Sequence, residues 1–472
     1  MNRNLKKISH LLCQLIFAVL LFGCTSQNST KNVTVFEGAT LIIGDGSQPI
    51  KNSTVIIKGN TIIKVGRVGE INYPNNAEVI NLDGKWIIPG LMDLHFHIKD
   101  QDQLQALETL LQFGVTTFRN TETTPEFGVE LREKLANGEI LGPRMFTAGE
   151  LIDFKGAFWS GKPNCVDVAT PEEMRDAVRR QAELGVDYIK LYAHLDPSLV
   201  EAGIKEAKAL GLKTIGHLGK TGWGQAANMG IDAVTHSGTA APTWELVTTQ
   251  HQEMFIDFFA PHQKPEFDHT LFGPWHEFVD LNGPEIEEMI SSIVDNKVEV
   301  NPTLVIVEVF FWGDDPNVRK TLMPEYAPSS LRSKWNEGRH PYSASWPKES
   351  MDEAKKVFKI NQEIVKRLFD AGALLTTGTD FPVPWCTPGV ALHHEMLLIN
   401  NSGIPAIDVI TMATRNGAEA LGILDEVGTI SVGKKADLLI LNADPIQNIK
   451  NTTKIEKVYF EGKLVHQTVN NN

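Results

Sequence analysis

The sequence predicts an α/β protein: a (β/α)8 TIM barrel with a small composite β-sandwich domain from both termini. Three observations carry this. Between Pro89 and about Leu424, apolar strand-like runs alternate eight times with helix-like stretches. A glycine stands at the turn before many of those strands. Short β-rich runs of one texture lie before and after that span. With 472 residues, 42% apolar and 22% charged, the chain can bury one large core and a smaller one.

From the N-terminus, Arg3, Lys6 and Lys7 precede an apolar run from Leu11 to Gly23, too short to span a bilayer and laid out like a secretory leader. The run ends in Leu21, Phe22, Gly23 and Cys24, which resembles the lipobox of bacterial lipoproteins. Residues 1–23 are therefore expected to be a lipoprotein signal peptide, Cys24 the lipidated residue, and 24–32 a polar tether. Thr25 after the cysteine favours the outer membrane on that resemblance. The expected location is an exported lipoprotein, anchored in the outer membrane or facing the periplasm, that meets the membrane only through its lipid. Loss of the leader carries the formal charge from −14 to −17, which excludes nucleic acid as a natural partner. Cys165 and Cys386 are too few for a disulfide framework.

Residues 33–88 ("VTVFEGATLI", "STVIIKGNTIIKVG", "AEVINLDGKWIIPG") and 425–467 ("VGTISVGKKADLLILNADP", "EKVYFEGKLV") form the composite β-domain. In the 89–424 span the eight strands are "LMDLHFH", "VTTFRN", "RMFTAGE", "DYIKLY", "KTIGHL", "AVTHSG", "VEVNPTL" and "LLTTGTD". Glycines 114, 185, 211, 230 and 372 mark helix ends. Thr170, Pro171 and Glu173 form a capping box, and Asp196 with Pro197 repeats the cap-and-proline signal. An open doubly wound sheet is the competing arrangement.

A barrel demands chemistry at the C-terminal ends of its strands. His95 and His97 end the first strand and share a face, because side chains alternate. Lys190 ends the fourth, His217 the fifth, His236 the sixth and Asp380 the eighth. Each interrupts an apolar run, so each needs a compensating partner. Four imidazoles and a carboxylate are ligand types for zinc or another borderline divalent metal.

These motifs, with "IIPGLMDLHFH", "TTGTDFP" and "EVGTISVGKKADLLIL", resemble the metal-dependent amidohydrolase superfamily, in its imidazolonepropionase-like and bacterial zinc-prolidase-like branch. The resemblance implies two divalent metal ions, zinc first among zinc, manganese, iron and cobalt. His95, His97 and Asp380 would hold one and His217 and His236 the other. Lys190 would bridge them as a CO2-derived carbamate, since an ammonium cannot bind a cation. Asp380 would carry the catalytic proton and His236 would aid carbonyl polarisation.

The implied activity is hydrolysis of a C–N bond, foremost by an exported Xaa-Pro-type or other dipeptidase. A cyclic amide, a lactone or an organophosphate ester is the alternative substrate, and a non-catalytic surface binding lipoprotein the alternative class. Lys99, Arg119 and Lys220 are cationic candidates to hold a substrate carboxylate, and Tyr192 a polar one. Trp244, Trp275, Trp312, Trp335 and Trp346 are candidate aromatic walls in the long loops. The partner is a small-molecule dipeptide or amide, and homo-oligomerisation stays open.

Overall fold

The computed structural model describes residues 33–237, 244–258, 269–335 and 343–468. The expected leader, the expected tether and Cys24 lie outside them. Among the described residues no helix is long and apolar enough to cross a membrane.

Among the described residues six strands come first: β1 (Val33–Glu37), β2 (Thr40–Leu41), β3 (Ser53–Lys58), β4 (Thr61–Arg67), β5 (Glu78–Asn81) and β6 (Trp86–Pro89). Nine follow: β7 (Leu91–Phe96), β8 (Val115–Asn120), β9 (Arg144–Phe154), β10 (Cys165–Val168), β11 (Tyr188–Leu191), β12 (Lys213–Gly216), β13 (Ala233–Thr235), β14 (Glu299–Asn301) and β15 (Leu374–Leu375). The last three are β16 (Leu438–Leu441), β17 (Ile455–Phe460) and β18 (Lys463–Gln467).

The barrel sheet runs β7-β8-β9-β11-β12-β13-β14-β15, with β10 paired to β9 as an extra strand. Neighbouring strands are parallel, and β7 and β8 are buried along their whole length, as strands packed on both faces must be. The seam closes just beyond β15. Leu94 N donates to Thr377 O at 2.9 Å and His97 N to Phe381 O at 2.8 Å, which makes a barrel and not an open sheet. The eight strands read from the sequence are the eight that close it.

Two smaller sheets, β4-β3-β1-β5 and β18-β17-β16-β6-β2, share a core of Phe36, Val55, Ile57, Ile62, Ile87, Leu438, Ile440 and Tyr459. Each such side chain contributes about 1.5–3 kcal/mol on full burial. β6 pairs antiparallel with β16, so the two ends of the chain are stitched together next to the barrel entrance strand. Gly114 (φ +79) turns the chain into β8 beside this domain, where any Cβ would come within 2.2 Å of Leu439.

The Thr170 capping box forms, with Glu173 N donating to Thr170 Oγ1 and Thr170 N to the Glu173 carboxylate. Asp196 departs from expectation. Pro197 begins its helix, but the Asp196 carboxylate makes no cap and turns 2.6 Å from Lys220 Nζ instead.

Glu395, on the helix Val390–Asn401, caps a neighbour: its Oε2 accepts from Val305 N at 2.7 Å, at the start of the helix Leu304–Trp312. Its other oxygen is buried without a hydrogen-bond partner among the described residues. Burial pushes this carboxyl up from 4.5 to about 8, against the pull of the Val305 and Leu304 N–H groups. The fold thus keeps a proton that the unfolded chain releases between those values. Stability falls as pH rises through that window, at about 1.4 kcal/mol per pH unit. Glu395→Gln, which cannot ionise, is expected to match the native melting temperature near pH 4.5 and exceed it by several degrees at pH 8. A gap that does not widen with pH would rule out a neutral Glu395.

Candidate active site

His95 and His97 leave β7 on its inner face, Lys190 lies on β11, His217 follows β12, His236 follows β13 and Asp380 follows β15. All six line one cavity of about 190 Å³ at the C-terminal mouth of the barrel. The imidazole centroids of His95 and His236 are 4.4 Å apart, those of His217 and His236 also 4.4 Å, and those of His95 and His97 5.3 Å. One oxygen of Asp380 sits 2.8 Å from His97 Nε2 and 3.3 Å from His95 Nε2.

Two of these residues hold a left-handed backbone, His236 at φ 71° and Asp380 at φ 57°. Such conformations cost about 1–3 kcal/mol each and persist only where the surroundings enforce them. At Asp380 the enforcement is a bond from its N to His95 O at 2.7 Å and the buried carboxylate of Asp93. Asp93 accepts from Thr379 Oγ1 at 2.7 Å, Thr379 N at 3.1 Å and His95 N at 3.2 Å, tying both sides of the seam. Gly378 is required beside it, since a Cβ there would lie 2.5 Å from Asn301 Oδ1 and 2.6 Å from His95 Cβ. At His236 the backbone N donates to Asn301 O at 3.0 Å.

Electrostatics suit cation binding. Burial holds His95 well below the ordinary imidazole range. Burial and the neighbouring His95 and His217 do the same to His236. Burial works to raise Asp380, but the histidines around it and their hydrogen bonds hold it well below the usual carboxylate range. His95 and His236 are therefore held as neutral imidazoles and Asp380 as an ionised carboxylate, the forms that ligate a metal. His95, His236 and Asp380 bring one ligand atom each within 4.8 Å of one another, and His95 Nδ1 is buried with no hydrogen-bond partner among the described residues. The donor set fits a divalent cation.

Of the substrate-contact candidates, Lys99 and Tyr192 line the cavity, Tyr192 with its ring 4.4 Å from that of His217. Arg119 does not. It is fully buried inside the barrel, where its guanidinium meets Glu299 at 2.7 and 3.0 Å, donates to Leu94 O and lies over the Tyr188 ring. A bidentate internal partner consumes this arginine. Lys220 pairs with Asp196 and is not among the cavity residues.

None of the five candidate tryptophans lines the cavity. Trp275, Trp335 and Trp346 are buried, Trp335 against Trp385 and Trp346 against Phe311, while Trp312 packs on Phe358. The wall is made instead by Trp159, by Ile306 and Phe310, and by Pro382, Val383 and Pro384. Glu122 joins them, its carboxylate 2.7 Å from Lys99 Nζ and 3.8 Å from His97 Nδ1. Trp159 and Glu122 are not among the residues expected from the sequence. The available signal was position, since both stand in turns directly after barrel strands.

Residues 86–240 and 339–465, more than half of the chain, match the profile of the amidohydrolase family. The chain belongs to that family. An 81-residue stretch is 40% identical to an imidazolonepropionase of Agrobacterium fabrum, over 16% of this chain and 18% of that protein. The chain matches about a fifth of the length of its first curated relatives. Among solved structures, a Xaa-Pro dipeptidase with methionine bound in the active site superposes with a TM-score of 0.67 at 21% identity, over 92% of this chain and all of that one. A prolidase complexed with N-methylphosphonate-L-proline gives 0.65 at 18% identity, again over 92% of this chain and all of the other. These likenesses at low identity speak for the shared fold.

Proposed function

We propose that the protein is a metal-dependent amidohydrolase that cleaves a C–N bond in a small amide, foremost a dipeptide of the Xaa-Pro type. The observation that carries this is a buried lysine within a ring of four histidines and an ionised aspartate at the mouth of the barrel. His95, His97 and Asp380 would hold one divalent cation and His217 and His236 a second, with zinc favoured by the imidazole-rich set. Lys190, at 1% exposure among imidazoles, would be a ligand only with its charge reversed, as a carbamate. When bound, such cations supply Lewis acidity to a carbonyl oxygen and to a water molecule.

The chain's own residues do the rest. Asp380 accepts the proton released as water adds to the carbonyl carbon and returns it to the amide nitrogen, so that the C–N bond breaks to give a carboxylic acid and a neutral amine. Tyr192 and the Lys99–Glu122 pair face the polar end of the substrate. Trp159, Phe310 and the Pro382–Pro384 turn suit an apolar residue, which excludes water from the reacting bond.

A second reading, hydrolysis of a cyclic amide, is favoured by the local sequence match to imidazolonepropionase. The leader-like segment supports an exported, lipid-anchored location. The test is elemental analysis of the chain from Thr25 onward, followed by a panel of dipeptides and cyclic amides scored by amine release. About two metals per chain and turnover of Xaa-Pro substrates support the first reading. Ring opening alone supports the second, and a protein that takes up no metal refutes both.

A further inference from the structure

We propose that Thr303 is a positioning residue, which fixes the His236 ring for cation binding without itself touching cation or substrate. The inference rests on the metal-site reading above. Thr303 and His236 are both buried, and Thr303 Oγ1 lies 2.8 Å from His236 Nδ1. Engagement of Nδ1 fixes the ring plane and leaves Nε2 as the remaining nitrogen, the arrangement by which an outer partner selects the tautomer of a ligating histidine.

Two further observations show that the fold gives something up for this contact. Thr303 has φ 47°, a left-handed conformation that is rare for a β-branched residue, and it faces His236 at φ 71°. The two strained turns follow adjacent strands, β13 and β14, and are bound together by His236 N to Asn301 O at 3.0 Å and Ser237 N to Pro302 O at 3.1 Å.

Thr303 also stands at the N-cap of the helix Leu304–Trp312, where a threonine hydroxyl ordinarily accepts from the first turn. It makes no such bond. Glu395, from another helix, takes the Val305 N–H in its place. The hydroxyl is diverted to His236, and a buried acid is recruited to cover the vacated cap. The same helix carries Ile306 and Phe310 into the cavity wall, so one residue sets a ligand and the start of the substrate wall together.

The test is Co2+ titration of the metal-free full chain, read by the visible absorption of bound Co2+ and by calorimetry, with Thr303→Ser, Thr303→Val and Thr303→Gly. Valine keeps the shape and backbone demand and removes the hydroxyl. Serine keeps the hydroxyl. Glycine removes it and relieves the strain. The valine and glycine proteins are expected to bind one of two Co2+ ions about 10–100-fold more weakly, with an altered visible spectrum. Serine should stay within about twofold of native. The metal-free melting temperature of the glycine protein should equal or exceed the native value.

Native Co2+ binding in the valine and glycine proteins overturns the proposal, and so does a serine protein as weak as valine. If the native chain itself takes up no Co2+, the metal-site reading has failed. If it takes up two and the variants match it, only the role of Thr303 has failed.

Discussion

Asp380→Asn is expected to lower kcat by about 10²–10⁴-fold while leaving KM within a few-fold. Asparagine preserves the shape and an oxygen toward His95 and His97, and the Asp93–Thr379 bonds that bend the backbone do not involve the substituted group. What it cannot do is take a proton from water and hand it to a leaving nitrogen. An amide makes this loss severe, because an unprotonated amine anion leaves poorly. Metal content must be measured beside the rate. Two cations with a collapsed kcat assign the defect to proton transfer, and two cations with a full rate remove Asp380 from that role.

Lys190→Met is expected to abolish measurable turnover and to reduce bound metal from about two to about one per chain. Methionine fills most of the buried volume of the lysine, so the barrel interior should survive with little loss. Its thioether cannot become a carbamate. Elemental analysis after expression with bicarbonate reads the stoichiometry directly, and 13C-labelled bicarbonate should give a carbamate resonance in the native protein that is missing in the variant. Retention of both cations would leave Lys190 as a buried charge with another purpose and would sink the bridging assignment.

Much of this site was legible because a parallel barrel writes its strands as nearly unbroken apolar runs. A histidine, lysine or aspartate at the end of such a run is conspicuous without any tertiary knowledge, and the six residues at the mouth were found that way. Arg119 was misread by the same logic. It also interrupts an apolar run near a strand end, and only its partner Glu299, 180 residues away, turns it into an internal ion pair. The tryptophans failed for a related reason. Long loops advertise their aromatics, but Trp335, Trp346 and Trp312 packed on Trp385, Phe311 and Phe358, while the connection after β9 delivered Trp159 to the cavity. Lys220 went to an aspartate that looked like a helix cap. Strand order and strand-end chemistry are local properties of the sequence. Which charge meets which is not.

The seam between β7 and the segment after β15 gives the protein a built-in proof of completeness. His97 and Asp380 are 283 residues apart in the chain and meet across that seam. A nascent or truncated chain that stops short of Asp380 has the four histidines and the lysine of the candidate metal site yet lacks the acid that joins them. Contacts of such long sequence separation also form late and slowly. Outside the barrel the pairing of β6 with β16 fastens the same two ends of the polypeptide, like a clasp behind a lock. Under the proposed chemistry, hydrolytic competence is acquired in a single late event, when the finished molecule shuts upon itself.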